Sequence, residues 1–276
     1  MTRQLTTPDG KKLYLRHWPS EKTKAIVALV HGLGEHSGRY EHVARYLNEN
    51  GYALAAFDQR GHGHSGGKRG HFSSIEQALD DIGLFLEEVK KEYPDLPLFL
   101  YGHSMGGNLS LNYLLRRKPD ITGAIITGPW IRLPSPPSPL LLAFARLMSR
   151  VYPSFCNDNG LKTAHLSHDP AVVKAYEEDP LVHSKITAGA FVLLSEAAQW
   201  LESFRGEVPA PVLLMHGEAD QITGADGSKA FARHAGGPVE YRGWPELYHE
   251  IHNEPEQAEV LEFIVEWLNK HLQDLG

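Results

Sequence analysis

Residues 98–107 read LFLYGHSMGG, and the two halves of this stretch call for different backbones. Leu98–Tyr101 is a short continuous apolar run, the form taken by a strand buried on both faces. From Met105 to Lys118 apolar residues recur at spacings of three and four, the period of a helix packed on one side. Between them, Gly102-His103-Ser104-Met105-Gly106 matches G-x-S-x-G, a strand-to-helix turn so tight that the residues flanking the serine must be small. Such a turn holds the Ser104 hydroxyl at a helix N-terminus, where the backbone dipoles favour developing negative charge. The stretch predicts a serine nucleophile at the end of a buried strand.

The alternation continues in both directions. Ala25–Val30, Tyr52–Phe57, Ala124–Thr127 and Val212–Met215 are further apolar runs that read as strands. Arg39–Asn50, Ser74–Tyr93, Asp226–Ala235 and Pro255–Leu272 read as helices, with Gly51 placed to stop the first. Near the N-terminus Leu13, Leu15 and His17 alternate with Tyr14, Arg16 and Trp18, predicting a half-buried strand. Strands alternating with helices specify an α/β fold, a mostly parallel central sheet flanked by helices. One region breaks the rhythm. From Trp130 to Arg205 there is no convincing strand; the segment opens with the proline-rich RLPSPPSP and continues as several helices. Residues 130–205 are therefore expected to form a helical cap, or lid, inserted into a core made of 1–129 and 206–276. The runs on either side need each other to complete one sheet.

A length of 276 residues suits one α/β domain with an insertion. The net charge of -7 argues against nucleic acid as a partner, because binding a phosphate backbone requires clustered Lys and Arg. A single cysteine, Cys156, excludes an intrachain disulfide and a Cys-based metal site, and favours a reducing, cytoplasmic location. MTRQLTTPDGKKLYLRHW has no apolar core of the kind a signal peptide needs, and no uncharged run approaches the roughly 20 residues of a membrane span. Peripheral contact with a membrane remains open.

A serine hydroxyl is a weak nucleophile until a histidine, itself oriented by a carboxylate, removes its proton. In chains with this elbow the order is Ser, then Asp or Glu, then His. Asp220 follows the buried run VLLMHGEAD and so lies just past the C-terminal end of a strand, where the active sites of parallel sheets gather. Two histidines come later, in WPELYHEIHNEP, and either can serve. His249 lies in the loop before the last helix and is placed to reach the sheet edge; His252 is then a neighbour lining the pocket. An anionic tetrahedral intermediate needs two backbone donors. Met105, after the nucleophile, supplies one, and Leu33 in HGLGEH is expected to supply the other, with Gly32 and Gly34 letting that loop bend towards Ser104. His31, His36, His42, His62, His64 and His71 suggest a metal cluster at first sight, but no HExxH-type helical pair is present and the reactive set is complete without an ion. His31, His62 and His64 are read instead as hydrogen-bonded loop residues around the elbow, and Asp58 and Arg60 as structural. No metal and no cofactor is called for.

With these residues assembled, the chain resembles the monoacylglycerol lipases, in the lysophospholipase-like branch of the α/β-hydrolases sometimes grouped with serine aminopeptidases. The likeness spans nearly the whole sequence and is carried by HGLGEHSGRY, FDQRGHGHSGGKRG, GHSMGG, DPLVH, LLMHGEADQIT and LYHEIHNEPE. It implies the triad Ser104, Asp220 and His249, with oxyanion donors Leu33 and Met105. It also implies that Glu35, Arg39 and His252, with His103 of the elbow, line the polar end of the pocket where a glycerol head group would lie. The expected activity is hydrolysis of a monoacylglycerol or related lipid ester through an acyl-enzyme. Lysophospholipase and general carboxylesterase are sibling readings, and a non-catalytic small-molecule-binding homologue is a reading from another class.

The predicted cap has a physical reading of its own. Leu140, Leu141, Phe144, Leu147, Met148 and Val151 follow helical spacing, and Leu142, Ala143 and Ala145 widen the apolar surface beyond one stripe. Such a helix either packs on the core or lines an acyl tunnel and makes transient contact with a membrane or micelle surface. With only Arg146 and Arg150 nearby, strong attraction to anionic lipid is not expected.

Overall fold

The computed structural model describes residues 1–273. Its strands are β1 (Thr2–Thr6), β2 (Lys12–Trp18), β3 (Ala25–Val30), β4 (Tyr52–Phe57), β5 (Leu98–His103), β6 (Gly123–Thr127), β7 (Cys156–Asp158), β8 (Lys185–Thr187), β9 (Val212–Gly217) and β10 (Val239–Trp244). Its helices are α1 (Glu41–Glu49), α2 (Ile75–Glu92), α3 (Met105–Arg117), α4 (Pro139–Val151), α5 (Pro170–Glu178), α6 (Ala188–Ser203), α7 (Ala225–His234) and α8 (Gln257–Gln273).

Eight strands form one sheet in the order β1-β2-β4-β3-β5-β6-β9-β10. The first two contacts, β1 with β2 and β2 with β4, are antiparallel, and the rest are parallel. The continuous apolar runs have the cause inferred from sequence. Along β3, Ile26, Ala28 and Val30 enter one core, while Ala25, Val27 and Leu29 enter the other on the opposite face. Helices α2, α3, α6 and α7 cover the first face, and α1 and α8 the second.

Register brings the strand ends together. Val30 pairs with Gly102, His103 with Thr127, and Thr127 with Met215. The loops that follow β3, β5, β6 and β9 therefore leave the sheet along one edge, the C-terminal edge where parallel sheets place their ligands.

Four strands depart from the sequence reading. The edge strands β1 and β10 lack a legible apolar pattern, because each pairs on one side only and carries exposed polar residues. Between β6 and β9 the chain is not purely helical: β7 and β8 pair antiparallel, three residues each, too short for any alternation to register. In the same stretch α4 buries only Ala145, leaving Leu140, Leu141, Phe144, Leu147 and Val151 exposed. The helix packs against α6 with the rest of its apolar face turned outward.

Candidate active site

Ser104 sits between β5 and α3 with φ 55° and ψ -118°, a conformation that L-residues avoid. Three hydrogen bonds hold it there. Its N–H donates to the Thr127 carbonyl at 3.0 Å, and its own carbonyl accepts from Asn108 N–H at 3.0 Å and Trp130 N–H at 3.1 Å. The small residues of the motif are required by close approach: a Cβ on Gly106 would collide with the carbonyl oxygens of Val30 and His31, and one on Gly102 with Ser110.

His249 Nε2 lies 2.9 Å from Ser104 Oγ, and His249 Nδ1 lies 2.7 Å from Asp220 Oδ2. Of the two histidines left open by sequence, His249 is the one in reach of Ser104. Burial disfavours its charged form, but the Asp220 carboxylate outweighs burial and raises its pKa above the ordinary histidine value. Burial likewise opposes ionisation of Asp220, yet the His249 and His216 imidazoles hold that carboxyl well below the usual range. The remaining Asp220 oxygen, Oδ1, accepts from the Ile222 and Thr223 amides at 2.7 and 3.0 Å.

The loop after β3 comes close to the elbow, since a Cβ on Gly32 would lie 3.1 Å from Ser104 Cβ. Gly34 adopts φ +83°, the bend that lets the loop turn. The Gly32 amide is committed to Glu35 Oε1 at 2.6 Å. Among the described residues, neither the Leu33 nor the Met105 amide donates to any acceptor. His31 locks the base of the loop: Nε2 accepts from the Gln59 amide at 2.9 Å, so Nδ1 is the protonated nitrogen and donates to Gly32 O at 2.8 Å.

A cavity of about 440 Å³ opens in front of Ser104, within the size range of small-molecule sites. Glu35 and His103 lie on its wall beside Leu33, Trp130 and Phe191. A second, mostly apolar cavity of about 140 Å³ lies under α4, walled by Leu141, Phe144 and Phe155, and shares Ile186 and Phe191 with the first.

Arg39 and His252 are not on the cavity wall, and the expectation that they line it needs correcting. Arg39 is drawn behind the wall by two carboxylates, Glu35 at 2.8 Å and Glu250 at 2.6 Å. His252 is packed between rings, stacked on Tyr40 at 4.9 Å and edge-on to His103 at 4.8 Å. Burial pushes the pKa of His252 down to about 3, so it stays neutral there. His103 bonds Thr127 Oγ1 at 3.0 Å and packs on His249; burial and the two neighbouring histidines hold its pKa well below the usual value.

The other histidines separate. His36 pairs with Asp179, His42 with the His252 carbonyl, and His71 with Thr187. His62 is buried beside His31, but His64 is exposed and lies at a tilt against Tyr14, so it does not pack around the elbow. Asp58 and Arg60 are structural, as read: Asp58 accepts from Ser37 and the His64 amide, and Arg60 clamps Asp9 and Asp81. Sequence reasoning passed over Glu250 and His216. Both lie inside the quoted motifs, but only the folded chain shows what their side chains face.

The fold and this geometry define the class: an α/β-hydrolase with a serine at its nucleophile elbow. The chain belongs to the family described as serine aminopeptidase, S33, whose model matches residues 21–256. It is 39% identical over 98% of its length to an uncharacterised abhydrolase domain-containing protein of Dictyostelium discoideum, of which it spans only 29%. With a monoacylglycerol lipase of Mycolicibacterium smegmatis it shares 35% identity across 95% of both chains. The crystal structure of Paleococcus ferrophilus monoacylglycerol lipase superposes with a TM-score of 0.80 at 36% identity, covering 94% of this chain and 99% of that one.

Proposed function

We propose that this chain hydrolyses carboxylic esters of fatty acids, monoacylglycerol foremost, releasing glycerol and a free fatty acid through an acyl-enzyme. The observation that carries the reading is the Ser104–His249–Asp220 relay, with contacts of 2.9 and 2.7 Å, facing a cavity that shares Ile186 and Phe191 with a second, apolar cavity under α4. The similarity to monoacylglycerol lipases of two organisms supports the choice of ester.

In this mechanism His249 Nε2 takes the Ser104 proton as Oγ attacks the ester carbonyl carbon. The oxyanion formed is met by the uncommitted Leu33 and Met105 amides. As the intermediate collapses, His249 returns the proton to the departing alcohol oxygen. Water, deprotonated by the same imidazole, then attacks the acyl-enzyme and frees the fatty acid and Ser104. Asp220 keeps His249 in the tautomer whose Nε2 faces the hydroxyl.

Residues 130–205 act as the cap in this reading. Their apolar side chains receive the acyl chain, and the alcohol sits at the Glu35 and His103 end. The exposed face of α4 touches a membrane or micelle surface transiently while the enzyme remains cytoplasmic. Among the described residues no helix is long and apolar enough to cross a membrane.

Purified protein assayed against monoacylglycerols of graded acyl length, a lysophospholipid and short nitrophenyl esters tests the proposal. Highest kcat/KM on a monoacylglycerol is expected. Equal or greater efficiency on lysophospholipid, or on the short esters, would overturn the monoacylglycerol assignment in favour of lysophospholipase or general carboxylesterase.

A further inference from the structure

Asp220 is shared by two imidazoles. Besides His249, the fully buried His216 at the end of β9 places Nε2 3.1 Å from Asp220 Oδ2 and 3.2 Å from the Thr223 carbonyl. Both are acceptors, so Nε2 must carry the proton. The other ring nitrogen, Nδ1, is hydrogen-bonded to the Ser228 hydroxyl at 2.8 Å. Ser228 lies in the first half of α7, so this bond anchors His216, and through it the carboxylate, to a helix of the core.

We propose that His216 is a positioning residue for the hydrolytic reaction: it aims Asp220 Oδ2 at His249 and, by donating to that oxygen, sets how basic the carboxylate is. The inference rests on the reading of Ser104, Asp220 and His249 as the reacting relay. Its physics is competition. Each N–H donated to Oδ2 draws on the same negative charge, so the bond from His216 weakens the hold of Asp220 on a protonated His249. Removing it makes Asp220 a stronger base, stabilises the imidazolium and shifts the acid limb of the pH–rate profile upward. The charged and titratable groups around His249 are Asp220, Glu250, Glu35, Arg39, His103 and His252. All are retained when only His216 is changed.

The test is steady-state kinetics on a soluble short ester across pH, for His216→Leu, His216→Gln and Asp220→Asn. His216→Leu is expected to lose about tenfold in kcat, with KM within about twofold, the size of effect that follows from losing one hydrogen bond to a charged partner. Its acid limb should rise by about half a pH unit. His216→Gln restores an N–H donor and should recover most of kcat and the wild-type limb. Wild-type kcat and limb in His216→Leu, or equal losses in both His216 variants with no movement of the limb, overturn the proposal and leave His216 a packing residue. If His216→Leu does not fold, Ser228→Ala replaces it. That variant should lower kcat about threefold and move the limb the same way, by loosening the fixed ring; unchanged kinetics in it overturn the proposal. Asp220→Asn separates the two readings. Retention of wild-type activity there removes the relay itself, and with it this inference, whereas loss of activity in Asp220→Asn beside unaltered His216 variants overturns this inference alone.

Discussion

Arg39 grips Glu250 with two parallel bonds, Nη1 to Oε1 at 2.6 Å and Nη2 to Oε2 at 2.7 Å, across 211 residues of sequence. The same Nη1 reaches Glu35 Oε2 at 2.8 Å. Glu35 holds the loop that carries Leu33, and Glu250 follows His249, so one guanidinium ties together the two loops that meet at Ser104. Arg39→Ala strands two buried carboxylates side by side and should destabilise the fold by about 3–5 kcal/mol in denaturant unfolding. Arg39→Lys keeps the charge but loses the fork, and should cost less. A rise in KM on monoacylglycerol with no loss of stability would instead return Arg39 to the head-group site.

The same clamp sets an acid limit on stability. Burial would raise the Glu250 carboxyl, but Arg39 outweighs burial and brings its pKa down to about 2, against an ordinary 4.5. A depressed carboxylate pKa stabilises the folded state fully above the unfolded value, and that contribution is lost as pH falls from about 4.5 towards 2. Thermal melts of wild type and Glu250→Gln should differ most above pH 5, draw together as pH falls below 4.5 and converge only as it reaches about 2. A constant gap across this range contradicts the linkage.

Activity should depend on pH through His249. Only its neutral form accepts the Ser104 proton, and the carboxylate of Asp220 raises its pKa. The acid limb of kcat/KM is therefore expected above the ordinary histidine value of 6.5, with activity lost as pH falls through it. In Asp220→Asn the limb should drop along with kcat. A wild-type limb well below 6.5 refutes this account of the site.

The backbone of Ser104 predicts a stability difference between two inactive variants. Both Ser104→Ala and Ser104→Gly remove the hydroxyl and should abolish labelling by a fluorophosphonate. Only glycine relieves the strain at φ 55°, ψ -118°. Ser104→Gly should therefore be the more stable of the pair by about 1–2 kcal/mol in equilibrium unfolding. Equal stability would show that the elbow stores no strain at this residue.

The face of α4 makes a separable prediction. Leu140 is 81% exposed and Val151 73% exposed, and neither lines either cavity beside Ser104. Leu140→Ser with Val151→Ser should weaken co-sedimentation with phosphatidylcholine vesicles and slow hydrolysis of vesicle-borne monoacylglycerol, while hydrolysis of a soluble short ester stays within about twofold. Unchanged vesicle binding rules out membrane contact through this face.

Five central strands could be placed from sequence to within two residues, because each is buried on both faces and water enforces an unbroken apolar run. Strands β1 and β10 could not: their open faces tolerate residues such as Arg3 and Glu240, and the pattern is lost. The elbow was legible for a related reason, since sterics at Gly102 and Gly106 allow almost no other residue.

By itself, then, the amino-acid sequence determined the α/β alternation, the elbow at Ser104 and the order in which a carboxylate and a histidine must follow. These are local constraints, set by burial period and by the space around a turn. Chain position and resemblance favour His249 over His252, but both sit in one loop, and only the tertiary structure shows where each ring is directed. The fold turns the first to within 2.9 Å of Ser104 and stacks the second on Tyr40. It also withdrew Arg39 from the cavity to pair with Glu250, and set His216 against Asp220. Such assignments depend on where residues distant in sequence, or on opposite sides of a turn, direct their side chains, and hydrophobic patterning carries no record of that direction.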